Sequence, residues 1–287
     1  MLPKFTSLRT LVLSCRLYGE FPSLPFLRAL YLNFTDFPSY ANFAASMLNF
    51  AALRSLRLSN PTWRIAPENG NFEFPSLDLW SLHLEWNWHE TAATAGVMRS
   101  VRTRKLILSP PIESEETPDF LSVTSQYLRD LGAHLHSLEL DITHISRDDI
   151  AAFDFSPCSG LTHLQLNGAC WLNPHDTLDE LSVGLHSSVI DLLGAIIHHT
   201  SLRTLTLPIV THVFSIRLPF TELAGLLDTP PFVGLHTIEF PVHHRPVDGF
   251  PRLAQLKALV QSAIPRRDGR QVICSRTPEF PRVLAGM

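Results

Sequence analysis

Fourteen histidines and four cysteines are the side chains of this 287-residue chain with the widest capacity for chemistry. A transition-metal site needs three or four such ligands at spacings that bring them to one face. The adjacent pairs His198-His199 and His243-His244 cannot both chelate from one face of a helix or strand. His134 and His136 flank the start of an expected strand, with no cysteine or carboxylate nearby at a ligand spacing. Cys15, Cys158, Cys170 and Cys274 include no C-x-x-C pair and are too sparse for a disulfide framework, so reduced, buried thiols are expected. The acid pairs Glu115-Glu116 and Asp148-Asp149 fall in segments that read as loops, where solvated charge is the default. No G-x-S-x-G elbow, H-E-x-x-H helix, phosphate-binding Walker loop or G-x-G-x-x-G turn occurs. The expectation is a chain that is not an enzyme, with no catalytic residue, metal site or cofactor. Trp86 and Trp88 flank Asn87; they read as packing aromatics, or as a binding anchor if exposed beside a sheet.

The elements that would carry any such residues repeat along the chain. The pattern L-x-x-L-x-L occurs as Leu8/Leu11/Leu13, Leu27/Leu30/Leu32, Leu53/Leu56/Leu58 and Leu79/Leu82/Leu84, then in a degenerate copy Thr103/Leu106/Leu108. It resumes as Leu135/Leu138/Leu140, Leu161/Leu164/Leu166, Leu202/Leu205/Leu207 and Leu235/Ile238/Phe240, nine copies in all. Within each copy x-L-x-L-x alternates with period two, so it predicts a short strand with one apolar face, entered through the leading leucine. One unit cannot bury its own leucines, but parallel neighbours stacked about 4.8 Å apart can. A tenth strand is expected at Gln271–Ser275, with Val272 and Cys274 pointing one way.

The interval between leading residues varies from 19 (8 to 27) to 41 (161 to 202). Helical spacing is legible in the longer ones: Val189, Leu192, Leu193, Ile196 and Ile197 share one face. A second helix is predicted after a Thr117 cap with Pro118 at its first position, its inner stripe being Phe120, Tyr127, Leu128, Leu131 and Leu135. A third runs between Pro251 and Pro265 on Leu253, Leu256, Val260 and Ile264. The 19-residue interval is expected to be loop or 3-10 turn. The acidic, proline-containing stretch 109–116 reads as an exposed return loop, because the repeat resumes on both sides. The expected architecture is therefore α/β and a single domain over 1–287: a curved parallel sheet on the concave side, helices and loops on the convex side.

Composition excludes several function classes. Apolar residues make up 45% and charged residues 17%, so there is material for a core and no signature of disorder. A net charge of −4 gives no overall footprint for nucleic acid or an anionic membrane, and the densest basic cluster, Arg266, Arg267 and Arg270, is short enough to be a turn. No segment reaches the roughly eighteen apolar residues of a membrane span. The sequon Asn33-Phe34-Thr35 is short enough to arise by chance. The expected setting is cytoplasmic or nuclear, with no membrane and no nucleic-acid partner.

The repeat resembles the leucine-rich-repeat superfamily over nearly the whole chain, which implies a solenoid, or horseshoe. The superfamily's characteristic Asn appears in register as Asn87, while Thr35 and Thr143 hold that place in two other copies. The irregular lengths and the F-P-S-L and T-S-L-R phrasing look like the repeat regions of fungal F-box proteins. Those proteins hold substrates for a cullin-based ubiquitin ligase and dock its adaptor through an F-box. The resemblance thus implies a protein–protein interaction scaffold, as the substrate-recognition region of an SCF-type ligase receptor. This chain opens in a repeat at Phe5-Thr6-Ser7-Leu8, so an adaptor is expected as a partner only if an F-box lies upstream. The alternative reading is an enzyme or small-ligand binder with a site in the inter-repeat loops.

Strand alternation places the working surface. The residue between the last two leucines of each copy faces away from the ladder, giving the row Val12, Tyr31, Arg57, His83, Ile107, Glu139, Gln165, Thr206 and Glu239. Flanking rows include Asn33, Ser55, Ser81, Glu85, Ser137, Asp141, His163 and Asn167. The partner-binding set expected on this concave face is Tyr31, Arg57, His83, Glu85, Ile107, Glu139 and Gln165. Tyr and Arg in its early half are types enriched in binding hot spots, and its later, acidic half suits a basic segment. The competing view is a merely solvated sheet face.

Overall fold

The structure, a computed structural model, describes residues 7–16, 21–65, 73–85, 91–109, 117–143, 145, 153–172, 183–186, 188–197, 201–211, 218–229, 232–242, 253–264 and 269–276. It is a mixed α/β protein whose sheet strands are mostly parallel, and it divides into two compact units. The first comprises Met1–Glu139 and Ala152–Leu161, the second Leu140–Ala151 and Thr162–Met287.

In the first unit the elements run β1 (Thr10–Leu13), β2 (Ala29–Asn33), β3 (Asp36–Phe37), α1 (Tyr40–Met47), β4 (Ser55–Ser59) and β5 (Thr62–Trp63). Then come β6 (Leu77–Glu85), α2 (Thr91–Ser100), β7 (Val101–Ser109), α3 (Thr117–Leu131) and β8 (Ser137–Asp141), whose last two residues fall in the second unit. The sheet order is β1-β2-β4-β6-β7-β8, so the strand of each copy lies beside that of the copy before it. Registers are unshifted: Leu30 faces Leu56, Leu56 faces Leu82, and Leu82 faces Leu106. All four side chains are fully buried, as are their partners Leu32, Leu58, Leu84 and Leu108 one dyad on. The degenerate copy keeps the pattern, with Thr103 opposite Leu79, buried, and its hydroxyl donating to the Lys105 carbonyl at 2.9 Å.

Leu79 and Thr103 lie inside the longer strands β6 and β7, but at several other copies the leading leucine turns the chain into its rung. Its amide closes a tight turn on the residue three earlier: Leu27 on Leu24 (3.0 Å), Leu53 on Phe50 (2.9 Å), Leu135 on Gly132 (3.3 Å) and Leu161 on Cys158 (3.0 Å). Behind the early rungs, where return segments hold one short helix or none, aromatic rings fill the volume. Phe21, from one F-P-S-L group, meets Phe50 at 5.5 Å, and Phe74, from another, meets Phe43 at 5.4 Å. No helix occurs among the described residues of the 19-residue interval, 14–16 and 21–28, as its length requires.

Two features of this unit have no precedent in the repeat pattern. β3 and β5 pair as a separate two-stranded parallel sheet, reached through residues in left-handed conformation, Phe34 (φ 46°) and Asn60 (φ 47°). Asp36 on β3 gathers Arg16 at 3.4 Å and Arg64 at 3.3 Å. α3 starts at the expected cap residue, Thr117, and ends at Leu131; Leu135 belongs to the next rung and not to the helix stripe, because Gly132 (φ +50°) opens a 3-10 turn, Gly132–His134, between them. Tyr127, buried, ties α3 to β7 by donating to the Val101 carbonyl at 2.8 Å.

In the second unit the order is β9 (His163–Asn167), β10 (Cys170–Leu172), β11 (Val183–Leu185), α4 (Ser188–Ile197), β12 (Thr204–Thr206), β13 (Ile209–Thr211) and β14 (Leu218–Pro219). α5 (Phe220–Leu227), β15 (Thr237–Val242), α6 (Leu253–Ala263) and β16 (Gln271–Arg276) follow. Leu164, Leu205, Ile238 and Val272 are aligned across β9, β12, β15 and β16, all parallel. β10, β11, β13 and β14 form a second pairing set not legible as repeats; β11 runs antiparallel to both β10 and β14. Val189, Leu192, Leu193 and Ile196 of α4 are fully buried, and so are Leu256, Val260 and Ile264 of and after α6. Gly168 (φ +76°) is required where it stands, since a Cβ there would meet the Thr143 hydroxyl at 2.2 Å.

Arg270 departs from the surface turn expected of it. It is buried, and its guanidinium donates to the carbonyls of Leu227 (3.1 Å), Phe232 (2.9 Å) and Leu235 (3.4 Å), closing the end of α5 and the turn that follows. Its expected companions Arg266 and Arg267 lie outside the described residues.

Truncating a rung leucine removes a side chain packed on both sides, so Leu82→Ala should lower unfolding free energy by about 2–5 kcal/mol. Ser81→Ala, one residue away on the other face, should change it by less than about 0.5 kcal/mol. Chemical denaturation of both variants measures this, and equal small losses would contradict the buried ladder.

Candidate functional site

The face of the first unit's sheet opposite the leucines carries four of the seven expected partner-binding residues as one aligned row. Unshifted registers pair Val12 with Tyr31, Tyr31 with Arg57, Arg57 with His83 and His83 with Ile107. Neighbouring strands about 4.8 Å apart shade one another's side chains, which leaves Tyr31, Arg57, His83 and Ile107 half-buried and Val12 45% exposed. Glu85 lies in the flanking row with Ser59 and Ser109. Glu139, half-buried, stands between Leu138 and Leu140 on β8 of the same unit. Gln165 is in the second unit, aligned with Thr206, Glu239 and the 37% exposed Ile273.

Polar contacts in the first unit centre on Glu85. Its carboxylate accepts from Arg57 at 3.4 Å and makes a short hydrogen bond with the Ser59 hydroxyl. The Arg57–Glu85 ion pair is 42% and 37% exposed at its two side chains, so it orients Arg57 more than it stabilises the fold. The Arg57 Nε and Asn33 Oδ1 atoms are screened from solvent and have no hydrogen-bond partner among the described residues. Such atoms carry a desolvation cost of about 1–3 kcal/mol each that a partner or water can recover. Lys105, in register with Ser81, was not singled out by the sequence although it shares the same period-two phase; it adds a second cation beside the row.

His83 sits within this group. Burial, with the Arg57 charge added, pushes its imidazole down to about 4; Glu85 opposes the shift and Lys105 reinforces it. The ring is therefore neutral at physiological pH and offers one donor and one acceptor rather than a charge.

The second unit's row is quieter: Gln165 donates to the Asn167 side chain at 2.9 Å, and the Thr206 hydroxyl to Glu239 at 3.4 Å. Among the described residues no three His, Cys, Asp or Glu side chains come together as a metal site. His134 and His136 are exposed, and His136 Nδ1 lies 2.6 Å from the His134 carbonyl. Cys158, Cys170 and Cys274 are buried as expected, with burial pushing the Cys158 thiol up to about 11 and the other two upward also. Cys15 departs from that expectation: it is exposed, because the rung at β1 closes the row without a strand beyond it among the described residues. Thr35, third in the sequon, is fully buried and donates to the Leu13 carbonyl at 3.3 Å, which explains its place in the repeat. Trp86, Asn87, Trp88, Glu115, Glu116, Asp148, Asp149 and the pairs His198-His199 and His243-His244 lie outside the described residues. No helix of the described residues is long and apolar enough to cross a membrane.

No family model matches the chain, and no curated protein matches it.

The depressed His83 pKa has a consequence for stability. Between pH 6.5 and about 4 the unfolded chain takes up a proton that the folded chain refuses, so this stabilisation is present above pH 6.5 and lost as pH falls. The fold should lose on the order of 2 kcal/mol at this residue between pH 7 and pH 5. His83→Gln should flatten that part of the profile; urea unfolding at both pH values checks it, and an unchanged slope would contradict the buried neutral ring.

Proposed function

We propose that the chain is a leucine-rich-repeat solenoid whose open sheet face binds another protein. The observation that carries this reading is the aligned row Tyr31, Arg57, His83 and Ile107, flanked by Glu85. It combines an aromatic, a cation and a neutral imidazole on a rigid, repeat-built surface, with Arg57 Nε and Asn33 Oδ1 lacking partners among the described residues. Hot spots of protein interfaces draw on these residue types, and a parallel sheet holds them at low entropic cost.

A binding role fits the chemistry better than catalysis. One cavity among the described residues, of about 290 Å³, is lined by Ser7, Arg9, Phe26, Arg28 and Ala52, a set without a base to activate the serine. The finer reading, that the partner is a substrate presented to a cullin-based ubiquitin ligase, rests on the resemblance of the repeat phrasing to fungal F-box proteins. In that reading an F-box upstream of these residues supplies the adaptor contact, and the setting is cytoplasmic or nuclear.

Tyr31→Ala and Arg57→Glu should each weaken partner binding by roughly tenfold or more while changing unfolding free energy by less than about 1 kcal/mol. Titration calorimetry with the partner, alongside denaturation of each variant, separates the two effects. A partner whose affinity survives both substitutions but falls on changes in the return segments would contradict the assignment.

A further inference from the structure

A different line of side chains runs along the N-terminal ends of the strands in the first unit. The second position of each L-x-x-L group there is Arg9, Arg28, Arg54, Trp80, Arg104 and His136, and all six are exposed. Backbone hydrogen bonds fix them as successive rungs: Arg28 N to Arg9 O, Arg54 N to Arg28 O and Trp80 N to Arg54 O, each 2.8 Å, and His136 N to Arg104 O at 2.9 Å. The line therefore advances by one strand spacing, about 4.8 Å, per residue. The Arg104 guanidinium lies over the Trp80 ring, 5.6 Å from its centroid. At the other end Arg9 and Arg28, with the 58% exposed Phe26, line the open cavity of about 290 Å³.

Among the described residues no ion pair compensates the charge on this line. None of the described ion pairs involves Arg9, Arg28, Arg54 or Arg104. Exposed Asp78, two residues before Trp80, is in register with Arg102 in the strand extension and not with a member of the line. Four guanidiniums thus share one edge of a chain whose net charge is −4.

We propose that this edge docks an extended acidic peptide segment of a partner protein, its carboxylates on Arg9, Arg28, Arg54 and Arg104 and an apolar side chain against Phe26. An extended peptide presents same-side carboxylates about 6.8 Å apart, a repeat that long arginine arms can follow when anchored about 4.8 Å apart from Arg9 to Arg54 and two strand spacings apart from Arg54 to Arg104. Guanidinium and carboxylate pair in a two-pronged, charge-assisted geometry. A peptide fits better than a nucleic acid on two counts. Arg104 lies over one face of the Trp80 ring, so a base stacking there would have to displace the guanidinium. The net negative chain also repels a long polyanion, whereas a short acidic segment meets mainly the charges within a screening length of about 8 Å. This surface is separate from the row of Tyr31, Arg57 and His83, and the proposal does not depend on that row binding anything.

Fluorescence anisotropy of the full chain with a short fluorescein-labelled peptide of alternating glutamate and serine tests it. Saturable binding is expected, weakening as salt is raised. Arg28→Glu with Arg54→Glu should lower affinity at least about tenfold, and the milder pair Arg54→Gln with Arg104→Gln should lower it in the same direction. Lys257→Glu with Arg276→Glu, both exposed and in the second unit, changes total charge equally with the first pair and should leave affinity within about twofold. The proposal is overturned by no saturable binding to the unaltered chain, by an equal loss in the Lys257/Arg276 control, or by tighter binding of a labelled single-stranded oligothymidylate than of the peptide.

Discussion

A strand of four or five residues with two leucines on one face exposes those leucines unless another such strand lies directly beside it. Everything else in each unit depends on that unshifted parallel stacking. Leu30, Leu56, Leu82 and Leu106 are each 0% exposed because each has an identical neighbour at its own height. A slip of one residue would turn every leucine to the opposite face. The backbone guards against it at the strand entrance. The carbonyl of Arg9 accepts from both Arg28 and Ala29, that of Arg28 from Arg54 and Ser55, and that of Arg54 from Trp80 and Ser81. The same forked acceptor recurs in the second unit, where Thr162 and Arg203 each take two amides of the following rung.

Fixed register has a chemical consequence on the other face. Residues between the leucines must also align, so a side chain on one rung is shaped by the rungs on either side. His83 shows this: burial between the neighbouring rungs chiefly disfavours its protonation, Arg57 on one strand and Lys105 on the other add to that, and Glu85 opposes them. The return segments are under no such constraint. They need only cover the leucines' far side, which aromatic rings do behind β2 and β4 and helices α2 and α3 do later in the first unit.

What the sequence made legible follows from the same physics. Period-two leucines locate the rungs, including the Thr103 copy, and helical spacing locates α4 and α6, because burial enforces both patterns. The row Tyr31, Arg57, His83 and Ile107 was readable for the same reason. The sheet of β3 and β5 was not: two-residue strands carry no period, and they are held by backbone and by Asp36 rather than by an apolar face. β10, β11, β13 and β14 are likewise too short to announce themselves. Arg270 looked like surface charge because composition does not reveal three carbonyls waiting at a helix end. The pKa of His83 required knowing how far the ring is buried and which charges stand on adjacent rungs, and both need the register rather than the pattern.

The register is the central claim, and a cross-link reads it directly. Ser55 and Ser81 are paired across β4 and β6 on the open face, within the reach of a disulfide, whereas Ser55 and Glu85 are offset by four residues along the strand. In a chain carrying Cys15→Ser to remove the exposed thiol, Ser55→Cys with Ser81→Cys should cross-link fully on mild oxidation without loss of stability. Ser55→Cys with Glu85→Cys should not. Mass spectrometry of peptides after oxidation distinguishes the two, and the reverse outcome would contradict the stacked ladder.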